Sequence, residues 1–318
     1  MSEFYKIILL IPFLSLGQKT YSEAEALFYN KQYAISEDVL NASLIHNPND
    51  IKSLELLGSI YIIHEDWDAA TLLYQKLIKK DSTNAEYHYQ YGKSMGMKAT
   101  NSNIFSAYMM KNTIENEFLT TISLDKNHID ALWALIVYYN ELPGIIGGSF
   151  EKAKQYANQL KSISLVDYYL ANGYIFEEEK ESLLAEKNYL KAVKKGGSIN
   201  CYQKIISFYK KEKEYQKAIS YLEIGHQKHQ WNNYNFQIGD ISSKEKIEFD
   251  KGIKYLKIYI ENYSSEDAFK LENAYCSLAK IYRFKNDRES ALKWIQKSLK
   301  ENPSFDVAIK EEKLILKM

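Results

Sequence analysis

The sequence predicts an all-α fold in which about eight helix pairs stack into a solenoid and a C-terminal helix caps the stack. The first observation is the stretch 54–82, where large and small apolar residues keep helical spacing on either side of a polar turn at 64–66. The second is that this pattern returns along the chain at intervals of about 34 residues. Two helices with one apolar face each cannot bury those faces alone, so neighbouring pairs must stack.

Small residues mark the point where the two helices of each predicted pair meet. A glycine inside a helix costs about 0.5–1 kcal/mol relative to alanine, so its return at a fixed offset indicates close packing of two helices. Large residues are expected to begin the second helices at Tyr33, Trp67, Tyr215 and Phe249. The two recurring small positions are Gly58, Gly92, Gly173, Gly239 and Ala279, and then Ala70, Ala153, Ala185, Ala218, Gly252 and Ala291.

These recurring residues resemble the tetratricopeptide repeat (TPR) family over roughly residues 17–305. The resemblance implies a right-handed α-solenoid whose first helices line a concave surface that binds a protein or peptide. The segments YGKSMGMKA and LPGIIGGSFEKA are similar to those of bacterial exported TPR proteins with a PGIxGG-type insertion. That resemblance implies the fold and leaves the activity open.

The chain divides into a signal peptide at 1–17, the repeat region at 18–305 and a capping helix at 306–318. Pro48 and Pro303 are expected to end the first and last pairs, because proline lacks the N–H that a helix needs. The open end of a stack requires a cap, and the amphipathic C-terminal segment meets that need. The pairs are predicted to begin near Gly17, Ile51, Ala85, Ile129, Val166, Ile199, Asn232 and Glu272.

Composition excludes several classes of protein. Lys plus Arg equals Asp plus Glu at 41 each, so no overall field attracts nucleic acid or an anionic membrane. Only 13 glycines and 4 prolines argue against disorder. Cys201 and Cys276 fall in pairs six and eight, too far apart for a disulfide, so two free thiols are expected.

The N-terminus has the features of a secretory signal. A polar start with Lys6 precedes the apolar run Ile7–Leu14, and small residues follow at Ser15 and Gly17. The run is shorter than the roughly 20 apolar residues of a membrane-spanning helix. A buried first helix is the alternative, but an apolar run without a polar face does not suit the end of a solenoid. We therefore expect export to the periplasm or cell envelope, with no membrane span after cleavage.

Two stretches depart from the regular pattern. Extra chain at 97–103 predicts that the second helix of pair three starts late or is lengthened, with a turn and N-cap at 100–103. The stretch 142–149 predicts an extended loop, with Ser149 capping the next helix. An anion site or a small-ligand or hydrolytic site is conceivable there, but the P-loop pattern is incomplete. The candidate loop residues are Pro143, Gly144, Gly147, Gly148 and Ser149.

The first helices supply the main candidate site. The resemblance implies that a partner binds at the inward-facing positions of these helices. Aromatic residues at such positions are typical of binding hot spots. Lys204, Lys211, Lys280 and Arg283 are expected to make the C-terminal part of this surface basic. The same aromatics could instead pack between adjacent helices. The candidate partner-binding residues are Tyr89, Lys93, Trp133, Tyr174, Gln203, Phe236, Asp240, Lys280 and Arg283.

No catalytic or metal-binding constellation is found in the sequence. His226 and His229 are spaced to reach one ion, but no Cys, Asp or Glu stands near enough to complete the set. The run Glu177–Glu179 indicates a solvated helix face. The leading hypothesis is therefore an exported, non-enzymatic adaptor without cofactor. The alternatives are a helical protein with a small-ligand or hydrolytic site at the Leu142–Ser149 loop, and self-assembly through the terminal pairs.

Overall fold

The computed structural model describes residues 11–318, with side chains from Thr20 onward. Over this range the chain is helical, with one short 3-10 turn and no strand. Residues 1–10 of the predicted signal peptide lie outside the described residues, and the first described helix begins at Ile11. The signal peptide therefore stays a prediction.

Contacts divide the chain into two compact units, with the boundary between Ser164 and Leu165. The N-terminal unit contains helices α1 to α8, and successive helices within it pack against each other. Their bounds are α1 Ile11–Tyr29, α2 Tyr33–His46, α3 Ile51–Ile63, α4 Trp67–Lys80, α5 Ala85–Thr100, α6 Ile104–Leu124, α7 Ile129–Glu141 and α8 Phe150–Ile163.

The C-terminal unit contains the remaining helices of the described chain. They again pack in sequence order, and α17 packs against α15 and α16 as a cap. Their bounds are α9 Leu165–Glu178, α10 Ser182–Lys195, α11 Ile199–Lys211, α12 Tyr215–His229, α13 Asn232–Glu245, α14 Phe249–Glu261, α15 Leu271–Phe284, α16 Arg288–Glu301 and α17 Asp306–Ile315.

The second helices begin where the large residues predicted them to begin, at Tyr33, Trp67, Tyr215 and Phe249. Short polar side chains cap many of the helices, because their oxygens accept otherwise free N–H groups of the first turn. Asp66 accepts from the Ala69 N–H at 3.0 Å. The two predicted caps are also present. The Asn103 side chain accepts a hydrogen bond from the Ser106 N–H at 3.0 Å, and the Ser149 hydroxyl accepts one from the Lys152 N–H at 3.3 Å.

The recurring small residues lie where helices touch. A Cβ placed on Gly58 would meet the Tyr74 ring at 2.9 Å, and one on Gly173 would meet the Tyr189 ring at 2.6 Å, so a methyl group does not fit without movement. The alanines of the second position, from Ala70 to Ala291, are fully buried. The packing reason inferred from the sequence is confirmed at these positions.

The second helix of pair three is longer than the other second helices near it. Helix α6 has 21 residues, whereas the second helices on either side, α4 and α8, have 14 each. The extra length lies at its N-terminal end, since its first buried residue is Ile114. The irregularity predicted at 97–103 is therefore confirmed, and it produces a helix that extends past its neighbours.

The cysteines are unpaired, as the sequence predicts. Cys201 lies in α11 and Cys276 in α15, and both are buried. Burial raises the pKa of the Cys276 thiol to about 11. The thiol is therefore protonated at neutral pH, and a buried protonated thiol is unreactive.

Candidate functional site

In the N-terminal unit, the predicted groove residues lie on α5 and α7. Tyr89 is half-buried, and its ring centroid lies 4.7 Å from that of His128. Burial raises the pKa of the Tyr89 phenol to about 12. Lys93 and Trp133 are partly exposed. This part of the surface offers a lysine and two aromatic rings that are only partly accessible.

His128 packs against the Tyr89 ring, a role that sequence reasoning missed. Its Nδ1 accepts from the Ala131 N–H at 3.1 Å as the N-cap of α7. Its Nε2 then carries the proton and donates to Glu86 Oε2 at 3.2 Å. Histidine is an uncommon cap, so only the contacts of the folded chain reveal it.

In the C-terminal unit, helices α11 and α13 form a shallow pocket of about 240 Å³. Ile206 is buried and supplies its apolar base, while Gln203, Ser207 and Lys210 are exposed. Gln237 enters from α13. The pocket therefore combines two amide groups, a hydroxyl and an ammonium group around an apolar floor. Gln203 was predicted as a binding residue, whereas the sequence did not indicate Gln237.

Further along the first helices, α13 and α15 place charges close together. Asp240 forms an ion pair with Lys244 of its own helix at 2.8 Å. Lys280 is partly exposed and lies close enough to the Cys276 thiol to act against the rise in its pKa. The charge of Asp240 is thus matched by Lys244, whereas Lys280 is partly exposed.

The prediction that Phe236 is an exposed anchor is wrong. Its side chain is only 4% exposed, because Phe269 stacks on it with the ring centroids 4.1 Å apart. The connection at 264–270 folds back over α13, and the Ala268 N–H donates to Asn233 Oδ1 at 3.2 Å. The composition of this connection does not indicate that it covers a helix.

The predicted basic surface is weaker than charge counting suggested. Arg283 forms an ion pair with the buried Glu311 of α17 at 2.5 Å, so it holds the capping helix. Lys211 forms an ion pair with Glu177 at 2.5 Å. Two of the four cations thus have acidic partners, whereas Lys204 is exposed on α11.

The interpretation of Glu177–Glu179 as a solvated face needs correction at Glu177. This carboxylate accepts the Tyr189 hydroxyl at 2.7 Å besides its ion pair with Lys211. Similar tyrosine–glutamate bonds link Tyr209 to Glu186 at 2.8 Å. The rings of these tyrosines therefore pack in the core, while their hydroxyl groups hydrogen-bond to acidic side chains at the edge of the core.

Tyr174 of α9 is partly buried and interacts with other residues, so its ring is held in place. Burial decides how much of each aromatic face a partner could reach. Among the predicted binding residues, Gln203 is thus the most exposed, Phe236 is inaccessible, and the rest are partly accessible.

The Leu142–Ser149 loop is a closed turn and not an extended bulge. Pro143, Gly144 and Ile145 are exposed, and the turn 144–146 is a 3-10 helix. Gly147 has a φ of 108°, and the Gly148 N–H donates to the Pro143 carbonyl at 3.2 Å. A side chain on Gly148 would collide with the Leu142 carbonyl. The glycines are needed for this turn, and the Ser149 hydroxyl is used in capping α8.

The histidine pair is used in packing and backbone contacts. His229 Nε2 donates to the Gly197 carbonyl at 2.8 Å, and the ring of His226 packs edge-on against Tyr255. In the described part of the chain, no three His, Cys, Asp or Glu side chains are grouped so as to hold a metal ion. No helix between residues 11 and 318 is long and apolar enough to cross a membrane.

Comparison with known proteins supports the fold. No protein-family model matches the sequence, and no curated protein matches it. Among solved structures, a tetratricopeptide repeat protein from Parabacteroides merdae has a TM-score of 0.51 at 13% identity, covering 94% of this chain and 98% of that chain. A thermophilic TPR protein from Thermus thermophilus has a TM-score of 0.49 at 11% identity, covering 60% of this chain and 98% of that one. The chain has a TPR-like helical repeat fold.

Proposed function

We propose that this chain is a non-enzymatic repeat scaffold that binds an extended segment of a protein partner along its first helices. The observation that carries the proposal is the pocket between α11 and α13, where Gln203, Ser207, Lys210 and Gln237 surround the apolar base of Ile206. A repeat scaffold needs no chemical step for this role, since it acts by holding its partner.

The chemistry of the pocket suits a peptide backbone. A glutamine amide can donate to a carbonyl and accept from an N–H, so Gln203 and Gln237 can pair with successive peptide groups of an extended chain. The Ser207 hydroxyl adds a further donor and acceptor. Lys210 adds a positive charge at the edge, which favours a segment carrying an acidic side chain or a C-terminal carboxylate.

Residues beyond the pocket provide for a longer segment. Asp240 lies one turn after Gln237 on α13, and Lys280 lies on α15, which packs against α13. The charge of Lys280 would help to select the register of the bound segment, because a like charge placed against it is unfavourable. In the N-terminal unit, Tyr89, Lys93 and Trp133 supply a second surface of mixed character.

The place of action is proposed from the sequence. The run Ile7–Leu14 with Lys6 before it and small residues after it favours export, which puts the protein in the periplasm or cell envelope. The partner is then sought among envelope proteins. N-terminal sequencing of the protein from its native host measures this directly: a start near Gln18 supports export, and a start at Met1 or Ser2 contradicts it.

Site-specific photo-crosslinking tests the binding surface. A benzophenone amino acid at Ser207, in the pocket, should yield an adduct with a protein partner in envelope extracts, and mass spectrometry should map it to one short segment. The matched control is Gln216, an exposed residue at the start of α12, the second helix of the same pair. We expect an adduct from position 207 and none from 216.

Substitution at the pocket completes the test. Gln203→Ala together with Gln237→Ala should weaken binding of the mapped segment by roughly tenfold, since about 1.4 kcal/mol in lost hydrogen bonds corresponds to that factor. The same two changes should leave the unfolding transition almost unmoved, because both side chains are accessible. Equal adducts from both crosslinker positions, or unchanged affinity of the double variant, would show that the partner binds elsewhere.

A further inference from the structure

The N-terminal end of α6 exposes a cluster of large apolar side chains. Ile104 is 91% exposed, Phe105 72%, Tyr108 57% and Met109 66%. We call these four residues the apolar tip. They repeat with helical spacing, so they lie close together along the first turns of α6. Monomeric soluble proteins rarely expose such contiguous apolar surface without a use for it.

The apolar tip projects from the packed part of its unit. The first ten residues of α6 bury no side chain, since Ile114 is the first buried residue of the helix. Helix α6 is seven residues longer than α4 or α8, which extends it by roughly 10 Å at 1.5 Å per residue. Side chains exposed to this degree form a protruding surface. They do not line a groove, where neighbouring atoms would shield them.

The Leu142–Ser149 turn lies beside this projection. A Cβ on Gly147 would lie 3.4 Å from Lys111 Nζ, and the Tyr138 hydroxyl donates to the Lys111 carbonyl at 3.3 Å. Ile145, at the outside of the turn, is 94% exposed. The two irregular stretches of the sequence, at 97–103 and 142–149, thus occur in one region of the N-terminal unit, and both expose apolar side chains.

The segment that carries the apolar tip contains lysines and no acidic residue. No Asp or Glu occurs between Glu86 and Glu115, whereas Lys93, Lys98 and Lys111 do. Lys98 forms an ion pair with Asp68, so it adds no net charge. Lys93 lies away from the tip, because its neighbour Gly92 packs against Glu117 and Phe118 of α6, whereas Lys111 lies one turn after Tyr108. Lys111 Nζ donates to Asn112 Oδ1 at 3.2 Å, and no ion pair of Lys111 occurs among the described residues.

We propose that the apolar tip inserts into the surface of a lipid bilayer that carries anionic headgroups. Protruding apolar side chains can enter the boundary between headgroups and acyl chains, where the hydroxyl of Tyr108 remains at the polar level. Lys111 would then meet the negative headgroups. The apolar tip and Lys111 share no residue with the pocket on α11 and α13 or with the surface of Tyr89, Lys93 and Trp133, so the proposal stands independently of the proposed peptide binding.

A fluorescence experiment with vesicles tests insertion at one residue. Cys201 and Cys276 are buried, so Phe105→Cys in the full-length chain can be labelled selectively with an environment-sensitive dye. Vesicles of equal parts phosphatidylcholine and phosphatidylglycerol should shift the emission to the blue, and phosphatidylcholine alone should shift it much less. The matched control is Leu72→Cys on α4. The Leu72 side chain is 70% exposed in the unsubstituted protein.

A second variant shows whether the tip provides binding. Ile104→Ser, Phe105→Ser and Met109→Ser together should weaken binding to the anionic vesicles by roughly tenfold or more, because each side chain loses its apolar burial. All variants keep the apolar run of residues 7–14, so only the tip differs. Circular dichroism should be unchanged, since the three side chains are exposed.

Four outcomes would overturn the proposal. One is an equal dye shift at positions 72 and 105, and another is equal binding of the triple variant and the unchanged chain. A third is equal binding to neutral and anionic vesicles. The fourth is a dimer in light scattering that the triple variant loses, which would assign the tip to contact with a second copy.

Discussion

At the scale of single residues, close packing explains the recurring glycines. Gly173 faces the Tyr189 ring, which is 1% exposed and whose hydroxyl is held by Glu177. The ring has no free space to move into, because interiors are packed about as densely as organic crystals. The glycine is therefore required by the neighbouring helix, although its own helix would be more stable with alanine.

Close packing at one glycine and open space at another predict opposite effects for two glycine substitutions. Gly173→Ala should destabilise the protein by about 2 kcal/mol, since overpacking a core costs roughly 1–3 kcal/mol. Gly96→Ala, in the interior of α5 with nothing within 4 Å of the added methyl, should stabilise it by about 0.5–1 kcal/mol. Urea denaturation followed by circular dichroism measures both. Destabilisation by both variants would show that Gly96 serves a contact of its own.

At the scale of elements, one turn conformation recurs between the helices of a pair. The residue two positions before a second helix has a positive φ in several pairs, although none is glycine. This conformation costs an L-residue roughly 1–2 kcal/mol. The turn occurs at the same place in each of these pairs, where the chain reverses between the first and the second helix. The residues in this conformation are Lys31, Glu65, Lys180, Lys213 and Asn286.

Relief of this strain is a testable consequence. Lys213 has a φ of 60°, and its side chain is exposed. Lys213→Gly should stabilise the protein by about 0.5 kcal/mol, because glycine adopts this conformation freely but loses more entropy on folding. Lys187→Gly, at an exposed position within α10, is the control and should destabilise by about 1 kcal/mol. Thermal denaturation distinguishes the two, and destabilisation by Lys213→Gly would refute the strain.

At the scale of the whole molecule, the 27 tyrosines determine the behaviour at high pH. Burial raises the pKa of Tyr21, Tyr89 and Tyr234 to about 12, against an ordinary value of 10.0. Their folded pKa lies above the unfolded one, so the stability they contribute is complete below pH 10. It is lost as the pH rises from 10 through 12, because the unfolded chain ionises first.

We therefore expect the urea midpoint to hold from pH 8 to 10 and to fall steeply toward pH 12, together with the tyrosinate absorbance. Tyr234 is fully buried, and no hydrogen-bond partner is present for its hydroxyl in the described structure. Tyr234→Phe should be neutral or stabilising by up to about 1 kcal/mol at pH 8 and should reduce the loss at high pH. A midpoint that stays constant to pH 12 would refute the proposed linkage.

Much of the fold follows from the sequence because repeat packing is local. The starts of α2, α4, α12 and α14 could be predicted from single large residues, since each such residue fills the same place in its own pair. The candidate site was less predictable. Gln203 lies at an accessible position of α11 as expected, but Phe236 does not, because a connection far along the chain covers it.

The sequence by itself determined the phase of the helices, the small residues between them and the irregularity of pair three, because each depends on neighbours close along the chain. Only the tertiary structure decided which side chains remain accessible. Phe236 is closed off by Phe269, Arg283 is engaged by Glu311, and α6 carries its apolar tip into solvent. The exposure of a side chain depends on which other residues fold over it. Those covering residues lie tens of positions away along the chain.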